Sequence, residues 1–236
     1  GDYRGALQIL KEGLSLYPDA VGLNVGVGYA RLAREEYAWA RKAFERAFAL
    51  DNSNADALVG LGDTLLHFGE QEKALAFFKK VAESGYDHDT ELMLTIGRAL
   101  YRAALYVECR DIFAQASAAR PDSPDAAASL GYTLCQLGDQ VGASRQIRRA
   151  LKLNPDLHEA RIYLAHLLYE RGDQEGALRE YERVPPSEHW DAQALWRLIE
   201  LKRSLWHIEK GDARLRPWLS RLSEIEGSSD SIDRLF

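Results

Sequence analysis

Between Pro124 and Leu157 the apolar residues fall on two helical faces separated by Gly138-Asp139. In the first half Ala127, Leu130, Gly131 and Leu134 recur at i, i+3, i+4 and i+7, the spacing of one face of an α-helix. In the second half Ala143, Ile147, Ala150 and Leu151 repeat that face, and Pro155 ends it. A glycine inside a helix costs about 1 kcal/mol against alanine, so Gly131 needs a packing reason. Close approach supplies one. With no side chain at Gly131, the second helix can cross tightly over the first, with Ala143 and Ala150 as matching small surfaces.

The same pattern returns every 34 residues, with one extra residue near Asp89. Gly28, Gly62, Gly97, Gly131 and Ala165 fill the small slot of each first helix. Ala40, Ala74, Cys109, Ala143 and Ala177 fill that of each second helix, and Phe44, Phe78, Phe113, Ile147 and Tyr181 follow one turn on. Gly69, Gly138 and Gly172 stand at the turn inside the unit, and Pro18, Pro121 and Pro155 at its end. This recurrence resembles the tetratricopeptide repeat, over about residues 1 to 190. The resemblance implies an all-α fold, a right-handed α-α superhelix of about 13 antiparallel helices.

In that register residues 1–20 are the second helix of a truncated repeat, so the chain reads as a fragment and Leu7 and Leu10 are expected to lack a partner. Full repeats follow over 21–54, 55–88, 89–123, 124–157 and 158–191. Glu188–Lys210 then reads as one long helix whose apolar face includes Trp190, Leu195 and Leu198, and Ala213–Glu226 as a last helix after Gly211-Asp212. Residues 192–226 are expected to be a degenerate capping repeat, which an array needs to close its final interface. Of Trp196, Trp206 and Trp218, one or two are expected to be exposed as a second contact surface. Residues 227–236 read as a flexible tail, ending in Ile232–Phe236 as a short docking motif or a plain end.

Composition adds limits. An apolar content of 46% suffices for a continuous core, and a net charge of −6 lacks the basic stripe of a nucleic-acid binder. No apolar run reaches the ~18 residues of a membrane span. Cys109 and Cys135 lie on apolar faces, which fits buried thiols and a reducing, cytoplasmic setting. Neither Gly26-Val27-Gly28, with no strand before it, nor Asp87-His88-Asp89, explained by helix capping, makes a cofactor or metal site. His158 and His166 are two turns apart, too far to share a ligand. No catalytic motif is present; no cofactor, no metal and no enzymatic activity is expected.

In the family resembled, the first helices line the concave side of the superhelix. Carried over by register, that groove has Tyr29, Asp63, Arg98, Tyr132 and His166 in one row. Val59, Leu94 and Ile162 stand in a second, with Tyr163 beside it; Tyr101 and Tyr169 in a third; and Arg102 at the rim. Tyrosines offer rigid contact area at low entropy cost. Arg98 and Arg102, one turn apart, either present two guanidiniums to one carboxylate or pair with Glu91 and Asp63. Relatives that hold acidic chaperone tails use lysines, asparagines and arginine on this edge, whereas here it carries Asp56, Glu91, Asp125 and Glu159. A ligand with basic and apolar groups suits it better.

The expected function is a non-catalytic scaffold or adaptor that binds a partner's peptide or helix along this groove. The alternatives are a self-associating assembly module, with a monomer favoured, and a regulatory arm of a larger bacterial machine. Similar bacterial scaffolds serve pilus, secretion and polarity systems, some binding a small Ras-like GTPase. Neither nucleic acid nor membrane insertion is expected.

Overall fold

The chain is described by a computed structural model over residues 2–86, 88–209 and 211–227. Among these residues there are thirteen α-helices and no strand. In chain order they are α1 (Tyr3–Leu16), α2 (Val21–Leu32), α3 (Tyr37–Leu50), α4 (Ala55–His67), α5 (Gln71–Val81), α6 (Thr90–Arg102) and α7 (Tyr106–Ala119). There follow α8 (Pro124–Gln136), α9 (Gln140–Leu153), α10 (His158–Glu170), α11 (Gln174–Glu182), α12 (Ala192–Trp206) and α13 (Arg216–Glu226). The expected all-α class and helix number hold. The chain forms two compact units, α1–α7 up to Pro121 and α8–α13 from Asp122.

Local chemistry sets the helix ends. Asn54, Asp89, Ser123, Asp139 and Asp173 each accept a hydrogen bond from a backbone N–H of the first turn, satisfying a donor the helix leaves over. Between first and second helix the chain turns through a left-handed residue: Gly69, Gly138 and Gly172, but also Glu35 and Ala104. The extra residue near Asp89 is absorbed by a wide π-type turn over Ala82–Tyr86, where Gly85 is left-handed.

Packing explains the helix-interior glycines. A Cβ on Gly62 would lie 2.2 Å from the Phe78 ring, on Gly97 2.3 Å from Phe113, and on Gly131 2.6 Å from Ile147. Phe44 meets glycines on both sides, Gly28 on α2 and Gly60 on α4. In the first unit α2, α4 and α6 lie side by side, each paired with the helix that follows, around Phe44, Leu58, Leu100 and Phe113. In the second unit α8/α9, α10/α11 and α12/α13 pair likewise, around Ile147, Ile162, Tyr181 and Leu198.

Four expectations need correction. Leu7 is buried (6% exposed), because α1 packs on α2. The long helix foreseen over Glu188–Lys210 is α12 alone: Pro185-Pro186 impose a tight turn before it, Asp191 caps it, and His207 turns left-handed to stop it. Trp190, ahead of that helix, is exposed rather than part of its apolar face. The last helix starts at Arg216 and not Ala213, since the Asp212 carboxylate takes the Arg214 N–H in a turn and Pro217 fits the first helical turn. Trp218 is buried, Trp196 half-buried with its N–H donated to Glu226, and Trp206 exposed. The tail from 228 and its closing motif lie outside the described residues.

Candidate functional site

On the first unit α2, α4 and α6 bring Tyr29, Asp63 and Arg102 together. Asp63 is buried, and both its carboxylate oxygens accept from Arg102 Nη2, at 2.9 and 3.0 Å. His67 Nε2 lies 3.8 Å from the same carboxylate, and its ring stacks on Tyr37 at 4.0 Å. Tyr29 stands edge-on to Phe44 and donates its hydroxyl to the Asp56 carbonyl at 3.3 Å. Burial, then the charges of Asp56 and Asp63, push its phenol pKa well up, so it stays a neutral donor. An open cavity of about 630 Å³ is bounded by these groups and by Leu10, Gly26 and Ala33.

The two guanidiniums of α6 part company. Arg102 belongs to Asp63, Glu91 takes Arg120 at 3.1 Å instead, and Arg98 is exposed with no ion pair among the described residues. Tyr101 is half-buried against Tyr106. Val59 and Leu94, and Ile162 in the second unit, are not surface residues: they are at most 2% exposed. Their row points into the seam with neighbouring helices, so their side chains are packing, unavailable to a ligand.

The second unit gathers Tyr132, Tyr163, His166 and Tyr169. The rings of Tyr132 and Tyr163 stack at 4.3 Å and 26°. His166 is tied inward: Nε2 meets Asp191 Oδ2 at 2.8 Å, and Nδ1 lies 2.7 Å from both the Tyr181 hydroxyl and Arg197 Nη1. An arginine only donates, so Nδ1 is the acceptor and Nε2–H donates to Asp191. Burial raises the Asp191 carboxyl pKa, but the His166 bond and the N–H groups of Gln193 and Ala194 outweigh it and hold the carboxyl below its usual range. Arg197 lies 4.7 Å over Tyr169, whose hydroxyl donates to Glu200 at 3.2 Å. Arg197 and Glu200 escaped the sequence reading, although one further step of the register from Tyr163 and His166 lands on them. Tyr37, on a second helix, gave no such signal.

Cys109 is buried with Sγ 3.3 Å from the Gly97 carbonyl, and burial, then Glu170, push the Cys135 thiol up to about 11. The Cys135 thiol is therefore not poised to react at neutral pH. Among the described residues no three His, Cys, Asp or Glu side chains are grouped to hold a metal, and no helix is long and apolar enough to cross a membrane.

The tetratricopeptide repeat family profile matches residues 28–88 and 142–188, over the helix pairs just described. The chain is a tetratricopeptide repeat protein. Tetratricopeptide repeat protein 8 of Caenorhabditis elegans is 26% identical over 148 residues, 62% of this chain, which spans 29% of that relative's length. Among solved structures, Pseudomonas aeruginosa PilF superposes with a TM-score of 0.72 at 20% identity, over 92% of this chain and 98% of PilF. YrrB, described as having an unusual peptide-binding site, gives 0.56 at 23% identity, over 80% of this chain and 94% of its own. These likenesses establish the repeat fold.

Proposed function

We propose that this tetratricopeptide repeat protein is a non-catalytic interaction scaffold whose first-helix faces take a partner's peptide or helix bearing apolar and basic groups. The cavity of about 630 Å³ carries the reading: it lies within the size range of ligand sites and combines small apolar walls with a few fixed polar groups. Gly26, Ala30 and Ala33 leave room for a large side chain, while Tyr29, Tyr37 and the Asp63 carboxylate supply aromatic and acidic contacts. The likeness to YrrB, described as having an unusual peptide-binding site, supports this reading. Ala33 lines the cavity and is exposed, so Ala33→Trp fills the space without removing a packing contact. Wild type and Ala33→Trp, of equal melting temperature, are compared by affinity capture from native lysate. A protein retained by wild type and lost by the variant is the expected result; identical captured proteins would move the ligand off this face.

A second reading, self-association, is favoured by α1, which exposes Ile9 at 70% and Leu16 at 73% on one face, with Tyr17 at 67% beside them. Light scattering decides it: a strict monomer at high concentration rules it out.

A further inference from the structure

In the first unit α3 is covered on both sides and α1 on one. Phe44 of α3 is clamped between two glycines: a Cβ on Gly28 of α2 would lie 2.5 Å from its ring, and one on Gly60 of α4 2.2 Å. Leu10 stands 34 residues earlier, at the same place on α1. Gly26, the counterpart of Gly60, meets Leu10 at 2.9 Å, because α1 packs on α2 as α3 packs on α4. On the side where Phe44 has Gly28, Leu10 instead borders the open cavity of about 630 Å³, walled by Tyr3 and Ala6 from α1 and by Tyr29 and Ala33 from α2. Exposure follows the same division. The counterparts of Ala6 and Leu10 on α3, α5, α7, α9 and α11 are at most 5% exposed, whereas Ala6 is exposed and Leu10 half-buried.

The chain itself shows what covers such a face. α2, α4, α6 and α8 each lay a glycine on the large residue of the helix that follows, on Phe44, Phe78, Phe113 and Ile147. A helix seated over Ala6 and Leu10 would stand beside α2 as α2 stands beside α4, continuing the row of α2, α4 and α6. We propose that Ala6 and Leu10 form the seat of one amphipathic helix of the partner, antiparallel to α1, with a glycine or alanine on Leu10 and an apolar residue one turn to either side. α6 has that pattern, with Met93 four residues before Gly97 and Leu100 three after it, both buried. A helix suits this wall better than an extended segment. Its backbone N–H and C=O groups are bonded internally, so it can lie on Ala6, Leu10 and Gly26 without leaving them unpaired. The seat rests on the scaffold reading and specifies the form of the bound segment.

The probe is a peptide with the sequence Asp89–Arg102, acetylated and amidated at its ends, titrated into the full chain and followed by the methyl resonances of Ala6 and Leu10. Saturable shifts of both methyls are expected. The same peptide carrying Gly97→Leu should bind about tenfold or more weakly, because leucine overpacks against Leu10. Helix propensity cannot account for that loss, since leucine makes the free peptide more helical. In the chain, Ala6→Trp fills the seat from an exposed position, and should abolish saturation while leaving the melting temperature in place. Absence of saturation in wild type, equal binding of the Gly97→Leu peptide, an unchanged Kd in Ala6→Trp, or shifts confined to other methyls would overturn the seat. A dimer of the peptide-free chain that Ala6→Trp dissociates would give the face to a second copy and overturn it too. Loss of partner capture in Ala33→Trp alongside any of those results would leave the scaffold standing without the helix seat.

Discussion

At the level of single residues the repeat is a set of conformational slots, and the chain fills some of them poorly. The turn between first and second helix needs φ near +60 to +80°, which Gly69, Gly138 and Gly172 adopt without cost. Glu35 and Ala104 adopt it with a Cβ, at φ 59° and 57°. The left-handed region costs a non-glycine residue about 1–2 kcal/mol, only partly offset by the larger entropy glycine loses. Glu35→Gly and Ala104→Gly should therefore each stabilise by about 0.5–1 kcal/mol, read as a rise of about 1–4 °C in Tm. Gly62→Ala should do the opposite. Its Cβ would meet the Phe78 ring at 2.2 Å, so about 1–3 kcal/mol of overpacking outweighs a propensity gain of about 1 kcal/mol. Gly22, with nothing within 4 Å of its Cβ position, is the control that should tolerate alanine. A Gly62→Ala protein as stable as wild type in thermal melts would dismiss close approach as the reason for that glycine. The small slots were legible in sequence because they recur at a fixed period. The turn strain was not, since neither Glu35 nor Ala104 announces its φ.

Among the helices, regularity decided what could be read. From α2 to α11 the apolar period holds throughout, and the sequence placed the helices near where they lie. Beyond Pro185 the cues conflict, and tertiary packing decides instead: Ile208 is drawn into the core, so α12 must stop at Trp206. The face residues were read with the same strength and weakness. Register put Tyr132 and Tyr163 in neighbouring rows, and their rings do stack, but it could not tell an exposed row from a seam row, and Val59, Leu94 and Ile162 are buried. The irregular junction also holds a titratable group. His189 is fully buried, with Nε2 3.2 Å from the Tyr181 carbonyl, Nδ1 without a partner and the Trp218 ring edge-on at 5.5 Å. Burial lowers its pKa, beyond what the carbonyls of Tyr181 and Val184 and the Asp191 charge restore, and Arg221 from α13 lowers it further. The folded protein thus binds fewer protons here than the unfolded chain, and stability rises with pH across the window. The contribution is complete above the unfolded value of about 6.5 and is lost as pH falls from there towards the lowered folded value. Amides of α12 and α13 should lose exchange protection as pH falls below about 6.5, with a slope of at most about 1.4 kcal/mol per pH unit. His189→Gln should flatten that dependence. The same slope in the variant would assign the acid sensitivity to another group.

For the whole chain, a repeat array has no single core, and its stability is close to a sum of each repeat's own free energy and its contacts with neighbours. Helices with neighbours on both sides should then open last. In α4 nearly every residue from Ala55 to Leu65 is buried, whereas α1 buries only Leu7. A net charge of −6 adds a general preference for basic ligands, and their association should slow as salt screens it. Ligand binding and local opening act on the same helices, so the distribution of stability decides which part of the face is preorganised. Native-state hydrogen exchange of the intact chain tests this directly. Opening free energies should climb by about 2 kcal/mol or more from α1 to α4, within the span between fraying ends and global unfolding that exchange reports. Adding a ligand for the first-unit cavity should raise protection of α2, whose Gly26 and Tyr29 line it, before that of α4, which is already near its ceiling. Uniform protection from α1 to α4 would mean that the first unit opens as one cooperative block, and the nearest-neighbour description would not apply to it.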